Sequence, residues 1–177
     1  MPVGVMMKIS GSMLLIAGTS GYGFWKAGCY KSRIRLLEQL RQMVFLLKGQ
    51  VLYANATLEE AFAAVGGRTE GTLARLFLYV AEEIGKQQGE AFFTIWKEAV
   101  EEILADSELK EEDRRQLAAM GEHLGFLDRD MQERNLLLYL EQLDVSINEL
   151  RAHRQERCRL YTSLGVMAGM FLTILLC

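Results

Sequence analysis

Proline occurs once in the 177 residues, at Pro2. Proline breaks helix interiors and marks turns, so its absence from the rest of the chain favours long uninterrupted helices. It excludes a turn-rich β architecture, and alternating apolar and polar strand patterns are missing as well. Histidine occurs only as His123 and His153, and neither has a partner spaced for a metal site or a nucleophile triad. The three cysteines, Cys29, Cys158 and Cys177, form no CxxC and no mixed Cys/His cluster, which speaks against bound metal. Cys29 and Cys158 fall beside the two apolar ends and are read as reduced thiols. No glycine-rich segment ends in Gly-Lys-Ser/Thr, and Gly18, Gly21 and Gly23 follow no strand, so no nucleotide fingerprint is present. These absences point to a chain without a cofactor, and to a protein that is not an enzyme.

Charge is present but unevenly placed. Residues 36–150 carry 11 Lys and Arg against 22 Asp and Glu, a net of −11, while the flanks carry 9 against 1, a net of +8. The overall −3 hides that split. An acidic middle excludes non-specific nucleic-acid binding, which needs clustered positive charge. The positive flanks sit against apolar ends, which is a membrane pattern.

Two runs lack charge altogether. The first, Ile9 to Trp25, extends about 26 Å as a helix, marginal for a hydrocarbon core of about 30 Å. A cleaved signal peptide and an uncleaved span both suit it, and the lack of an A-x-A-like site favours the span. Ala27-Gly28-Cys29 resembles the end of a lipoprotein cleavage box, but Lys26 stands where an apolar residue belongs. Translation has three candidate starts, Met1, Met6 and Met7. Tyr22, Phe24 and Trp25 form an aromatic belt at the exit, followed by Lys26, Lys31, Arg33 and Arg35. The second run, Leu160 to Cys177, covers about 27 Å and follows Arg151, Arg154, Arg157 and Arg159. The positive-inside rule places both basic flanks in the cytoplasm, so the expected topology is a hairpin: a first span over 9–25, a cytoplasmic bundle over 27–159 and a second span over 160–177. Small residues in both spans, Gly18 and Gly21 in the first and the pair Gly165 and Gly169 in the second, suit close helix packing in lipid.

The middle reads as amphipathic helices, so the fold class is all-α, a bundle of five to six helices flanked by the two spans. The first helix covers about Ser32 to Tyr53, with Ile34, Leu37, Leu40, Val44, Leu47 and Val51 on one face. Thr57 and Glu60 match a capping box opening a short helix that stops at Gly66-Gly67. A third runs from about Gly71 to Gln87, with Leu73, Leu76, Phe77, Val80 and Ile84 inward. A fourth runs from Glu90 to Leu104, with Phe92, Ile95, Trp96, Ala99, Val100 and Ile103 inward. A fifth runs from Lys110 to Leu124, with acidic residues in its first turn and Gly125 as C-cap. The sixth, capped by Asp128 or Asp130, carries a stripe at Leu136, Leu140, Leu143, Ile147 and Leu150 and continues without glycine to Gly165.

The remaining polar candidates are carboxylate pairs: Glu59 and Glu60, Glu82 and Glu83, Glu101 and Glu102, and Glu111, Glu112 and Asp113. Adjacent helical residues point about 100° apart, so such pairs do not converge by themselves. They read as a solvated acidic face, with partner docking as the functional alternative.

Four segments carry a family resemblance. They are Gly23-Phe24-Trp25-Lys26-Ala27; Leu58-Glu59-Glu60-Ala61 with Tyr53 before it; Leu124-Gly125-Phe126-Leu127-Asp128 with Gln132; and Tyr161-Thr162-Ser163-Leu164-Gly165 through Gly169. In this order, over nearly the full length, the chain resembles the stage III sporulation protein AB family. The resemblance implies an integral protein of the mother-cell or outer forespore membrane, part of a transport complex between mother cell and forespore. It implies a cytoplasmic domain like that of the type II secretion F platform protein, docking the AA-type ATPase among other stage III sporulation proteins. Many family members carry an acid in the helix before the tyrosine, where this chain has Lys48-Gly49-Gln50. A self-associating adaptor, its sixth-helix stripe facing a second copy, is the alternative, and a membrane-anchored enzyme is a further one.

Overall fold

The computed structural model describes residues 28–54, 56–86, 91–125 and 129–176, chiefly as helical backbone beyond residue 153. Among the described residues every regular element is helical. Helix α1 covers 28–52, α2 Leu58–Gly66, α3 Thr72–Lys86, α4 Phe92–Ile103 and α5 Glu111–Met120; a 3-10 turn follows at Gly121–His123, then α6, Arg129–Leu176. The chain divides into two compact units, 35–148 and a second made of 1–34 with 149–177.

The unit 35–148 is built on the stripes expected from the sequence. Leu37, Leu40, Val44 and Leu47 of α1, Leu73, Leu76, Phe77 and Val80 of α3, and Leu136, Leu140, Leu143 and Ile147 of α6 are all buried. At its centre is an aromatic cluster. Phe62 lies 5.0 Å from Phe77 and 5.4 Å from Trp96 by ring centroids, and Phe92 stacks on Trp96 at 6.2 Å. The indole N–H of Trp96 donates to the Leu117 carbonyl at 2.9 Å, which satisfies a ring nitrogen that burial would otherwise strand. Opposite it, Gly121 presses its backbone on the indole, where a Cβ would sit 2.1 Å from Cδ1.

Local chemistry sets the boundaries. The Thr57 N–H donates to Glu60 Oε2 at 3.0 Å and the Glu60 N–H to Thr57 Oγ1 at 3.2 Å, the reciprocal box that starts α2. The fifth helix departs from expectation. Its α-helical part ends at Met120 with Gly121 as cap, not at Gly125. The physical reason is the Trp96 contact, at which the chain tightens into the 3-10 turn. Asp130 also departs: it lies inside the first turn of α6 and does not cap it. Asp128 lies outside the described residues.

Two buried polar groups serve the backbone. The Asp113 carboxylate accepts the Lys110 N–H at 2.8 Å, and the Gln132 amide donates to the Leu124 carbonyl at 2.9 Å. A third group has no such service. The Tyr139 hydroxyl is buried without a hydrogen-bond partner among the described residues, and burial, with the Asp113 charge adding, drives its pKa above the usual tyrosine range. Tyr139→Phe removes a stranded donor while keeping the ring, so it should stabilise the unit by about 1 kcal/mol in chemical denaturation. A loss of stability instead would show that the hydroxyl has a partner in solution.

In the smaller unit, the Tyr30 hydroxyl donates to the Leu150 carbonyl at 3.1 Å and ties α1 to α6. The residues of the expected first span, 9–25, lie outside the described residues. Of 160–177, α6 includes 160–176 as backbone. Among the described residues no helix is long and apolar enough to cross a membrane.

Candidate functional site

The acidic candidates are spread over three helices. Glu59 and Glu60 open α2, where Glu60 is engaged in the capping box and the Glu59 carboxylate lies against Gly85 of α3. Glu82 and Glu83 close α3 and share Lys86, whose pKa their hydrogen bonds raise. Glu111 and Glu112 open α5 and pair with Arg115 one turn on, Glu112 at 2.8 Å. All but Glu83 are exposed. The Glu82/Glu83 and Glu111/Glu112 pairs each share a cation of their own helix, while Glu59 reaches from α2 to the end of α3. Exposed i,i+3 and i,i+4 ion pairs of this kind add only about 0.3–0.5 kcal/mol each.

The basic candidates divide by unit. Lys31 is exposed and Arg33 half-buried on α1, and Arg151 is exposed on α6, in the unit that holds the Tyr30–Leu150 bond. Arg35 opens the larger unit. Arg154, Arg157 and Arg159 and the glycines Gly165 and Gly169 belong to the α6 backbone. Lys26, Gly18 and Gly21 lie outside the described residues.

Sequence reasoning missed a cross-helix clasp. The Arg41 guanidinium of α1 grips both carboxylate oxygens of Asp144 on α6, Nη2 reaching Oδ2 at 3.0 Å. That bond raises the arginine's pKa further. Both side chains are nearly half exposed, so the fork orients the helices more than it stabilises them. No local sequence signal marks a pair 103 residues apart.

It also missed a groove. Between α4 and α5 the surface opens into a concavity of about 660 Å³, lined by apolar side chains and by three acids and three bases. The α4–α5 connection beside it is braced by Arg114, which donates to the Leu109 carbonyl at 3.1 Å, and by Ser107, which donates to the Leu104 carbonyl at 2.7 Å.

The burial of Leu136, Leu140, Leu143 and Ile147 inside the chain's own unit corrects one expectation, that the sixth-helix stripe faces a second copy. That stripe is consumed by intrachain packing and does not face a second copy. Exposed apolar side chains on α6 are different ones, Met131, Leu137, Leu138, Val145 and Met167.

Comparison with known proteins fixes the family. The model of the stage III sporulation protein AB family matches residues 8–177. The stage III sporulation protein AB of Bacillus subtilis (strain 168) is 26% identical over 171 residues, which cover 97% of this chain and 99% of the relative. A solved structure of a stage III sporulation protein AB superposes with a TM-score of 0.65 at 22% identity, over 71% of this chain and 98% of that one. That likeness concerns the fold, and it coincides with the all-helical architecture described above. The full-length family match settles the assignment: this chain belongs to the stage III sporulation protein AB family and has a role in sporulation.

Proposed function

We propose that the chain is a non-enzymatic platform of a sporulation transport complex, anchored in the mother-cell or outer forespore membrane by residues 9–25 and 160–177. Its helical unit docks a cytoplasmic ATPase of the AA type. The membrane placement rests on the two charge-free runs and their basic flanks. The absence of chemistry is inferred from how the polar groups are spent. Buried Asp113 and Gln132 serve a helix cap and a backbone carbonyl, and exposed Glu82, Glu111 and Glu112 form ion pairs within their own helices.

The observation that carries the platform reading is α6. It is one helix from Arg129 to Leu176, and the same element supplies core residues to the larger unit and the apolar run to the smaller. A helix that is both core and anchor is suited to carry displacement from a cytoplasmic contact toward the membrane. The docking arm is tested by co-purifying the full chain in detergent with the co-expressed ATPase at low and high salt. Retention at low salt and loss at high salt is the expected result, because an acidic surface steers a basic partner. No retention at either salt would remove the ATPase from the reading.

A further inference from the structure

We propose that the basic collar where α1 meets α6 binds the headgroups of anionic phospholipids. This rests on the membrane anchorage of residues 9–25 and 160–177, and it names the lipid class that the anchor selects. Charge is sorted between the two units. Residues 1–34 with 149–177 carry 8 Lys and Arg against 2 Asp and Glu, a net of +6, whereas residues 35–148 carry 12 against 21, a net of −9. All 8 bases but Lys8 fall in two short segments, 26–33 and 151–159, and each segment borders a charge-free run. The fold brings these segments together. The Tyr30 hydroxyl donates to the Leu150 carbonyl, so the α1 turn that carries Lys31 and Arg33 adjoins the α6 turn that carries Arg151. Lys31 and Arg151 are both exposed.

Helical register concentrates the charge further. Arg151, Arg154 and Arg157 follow one another at steps of three, which makes like charges neighbours on the helix and costs stability where nothing offsets them. At about 100° per residue these three and Arg159 cover an arc of about 200°, while Glu149 and Glu156, seven residues apart, share the remaining side. Of the two acids only Glu156 has an arginine three or four residues away, at Arg159. Exposed bases of the larger unit are arranged the other way: Lys86, Lys97 and Arg115 each have a glutamate of their own helix at that spacing and pair with it. A collar that gathers cations instead of pairing them calls for anions from outside the chain. Trp25 precedes Lys26 and Leu160 follows Arg159, so the anions available at this level are headgroup phosphates. Each base held near an anionic membrane surface strengthens association about fivefold, and basic clusters between spans hold anionic headgroups in this way.

The test reconstitutes the full chain in phosphatidylcholine bilayers that contain a trace of spin-labelled phosphatidylglycerol or, separately, of spin-labelled phosphatidylcholine. Electron paramagnetic resonance reads the fraction of label immobilised on the protein. Phosphatidylglycerol should be favoured about fivefold at low salt and hardly at all at high salt. Net charge cannot supply that preference, because the whole chain stands at −3. Lys31→Gln with Arg151→Gln should lower it at least about twofold, and both sites are exposed, so no core contact is lost. Lys31→Arg with Arg151→Lys keeps the charge and should keep the preference. Lys97→Gln with Arg115→Gln, at two exposed bases of the larger unit, should leave it unchanged. Equal immobilisation of the two lipids overturns the proposal, as does a preference untouched by the Lys31 and Arg151 glutamines or lowered as far by the Lys97 and Arg115 pair. Inorganic phosphate that abolishes the preference where chloride of equal ionic strength does not would assign the collar to a soluble phosphate group and overturn it too. Alkaline carbonate extraction of the host's membranes keeps the two readings apart. A chain released by carbonate defeats the anchorage, and a chain that resists carbonate but shows no lipid preference defeats the collar alone.

Discussion

Gly121→Ala is expected to cost the larger unit about 3 kcal/mol, the upper end for overpacking a core. A Cβ at this position would lie 2.1 Å from Cδ1 of Trp96 and 2.7 Å from its Cγ and Nε1. Neither side has room to yield. The indole is fully buried, pinned by its hydrogen bond to the Leu117 carbonyl and enclosed by Phe62, Phe77 and Phe92. Gly121 caps α5 and opens the 3-10 turn, so its backbone is fixed on both sides. Trp96→Leu, made alone, should cost a comparable amount, through the cavity and through the carbonyl of Leu117 left without its donor. The two changes should not add. With the indole gone the alanine methyl enters vacated space, so Gly121→Ala with Trp96→Leu should lose about 1–3 kcal/mol less than the sum of the single variants. Chemical denaturation followed by far-UV circular dichroism measures all three. Additive losses would show that Gly121 matters for its backbone freedom and not for its contact with the indole. Domains of this size have about 5–15 kcal/mol of stability, so either single variant should also lower the protein's level in cells.

The Trp96–Gly121 contact shows where sequence reading stops. Helix existence and the inward face of each helix were legible, because burial imposes a 3.6-residue period on the residues themselves. The Thr57–Glu60 box was legible for the same reason: both partners lie within four residues of each other. The end of α5 was not. Gly125 fits a C-cap on local grounds, but the helix yields at Gly121 because of an indole that comes from another helix. Asp113 offers a similar lesson. Its place in an acidic first turn suggests a solvated dipole partner, whereas it is buried and accepts the Lys110 N–H. The Arg41–Asp144 clasp and the α4–α5 groove depend on distances between helices, and nothing in the periodicity of one helix encodes its separation from the next. Family membership supplied what spacing did not, namely the process the chain serves.

A Gly-Gly insertion after Asn148 should abolish sporulation while leaving the larger unit folded. Asn148 is the last residue of that unit and Glu149 the first of α6 in the other. Both are exposed, so glycines placed between them need displace no core side chain. Each glycine weakens the helix by about 1 kcal/mol relative to alanine, and the pair makes a soft joint in an element otherwise free of glycine from Arg129 to Leu164. Two added residues also turn the following helix by about 200° and advance it by about 3 Å. An Ala-Ala insertion at the same place separates these effects, because it imposes the same turn and advance on a stiff helix. If α6 works by carrying force, the Gly-Gly chain should accumulate normally, unfold at the same denaturant concentration and bind the ATPase, yet sporulate no better than a strain lacking the protein. The Ala-Ala chain should retain more function than the Gly-Gly chain. Equal loss in both would assign the role of α6 to the phase of its two ends. Normal sporulation with the glycine pair in place would rule out mechanical coupling through α6 and leave the helix as a tether.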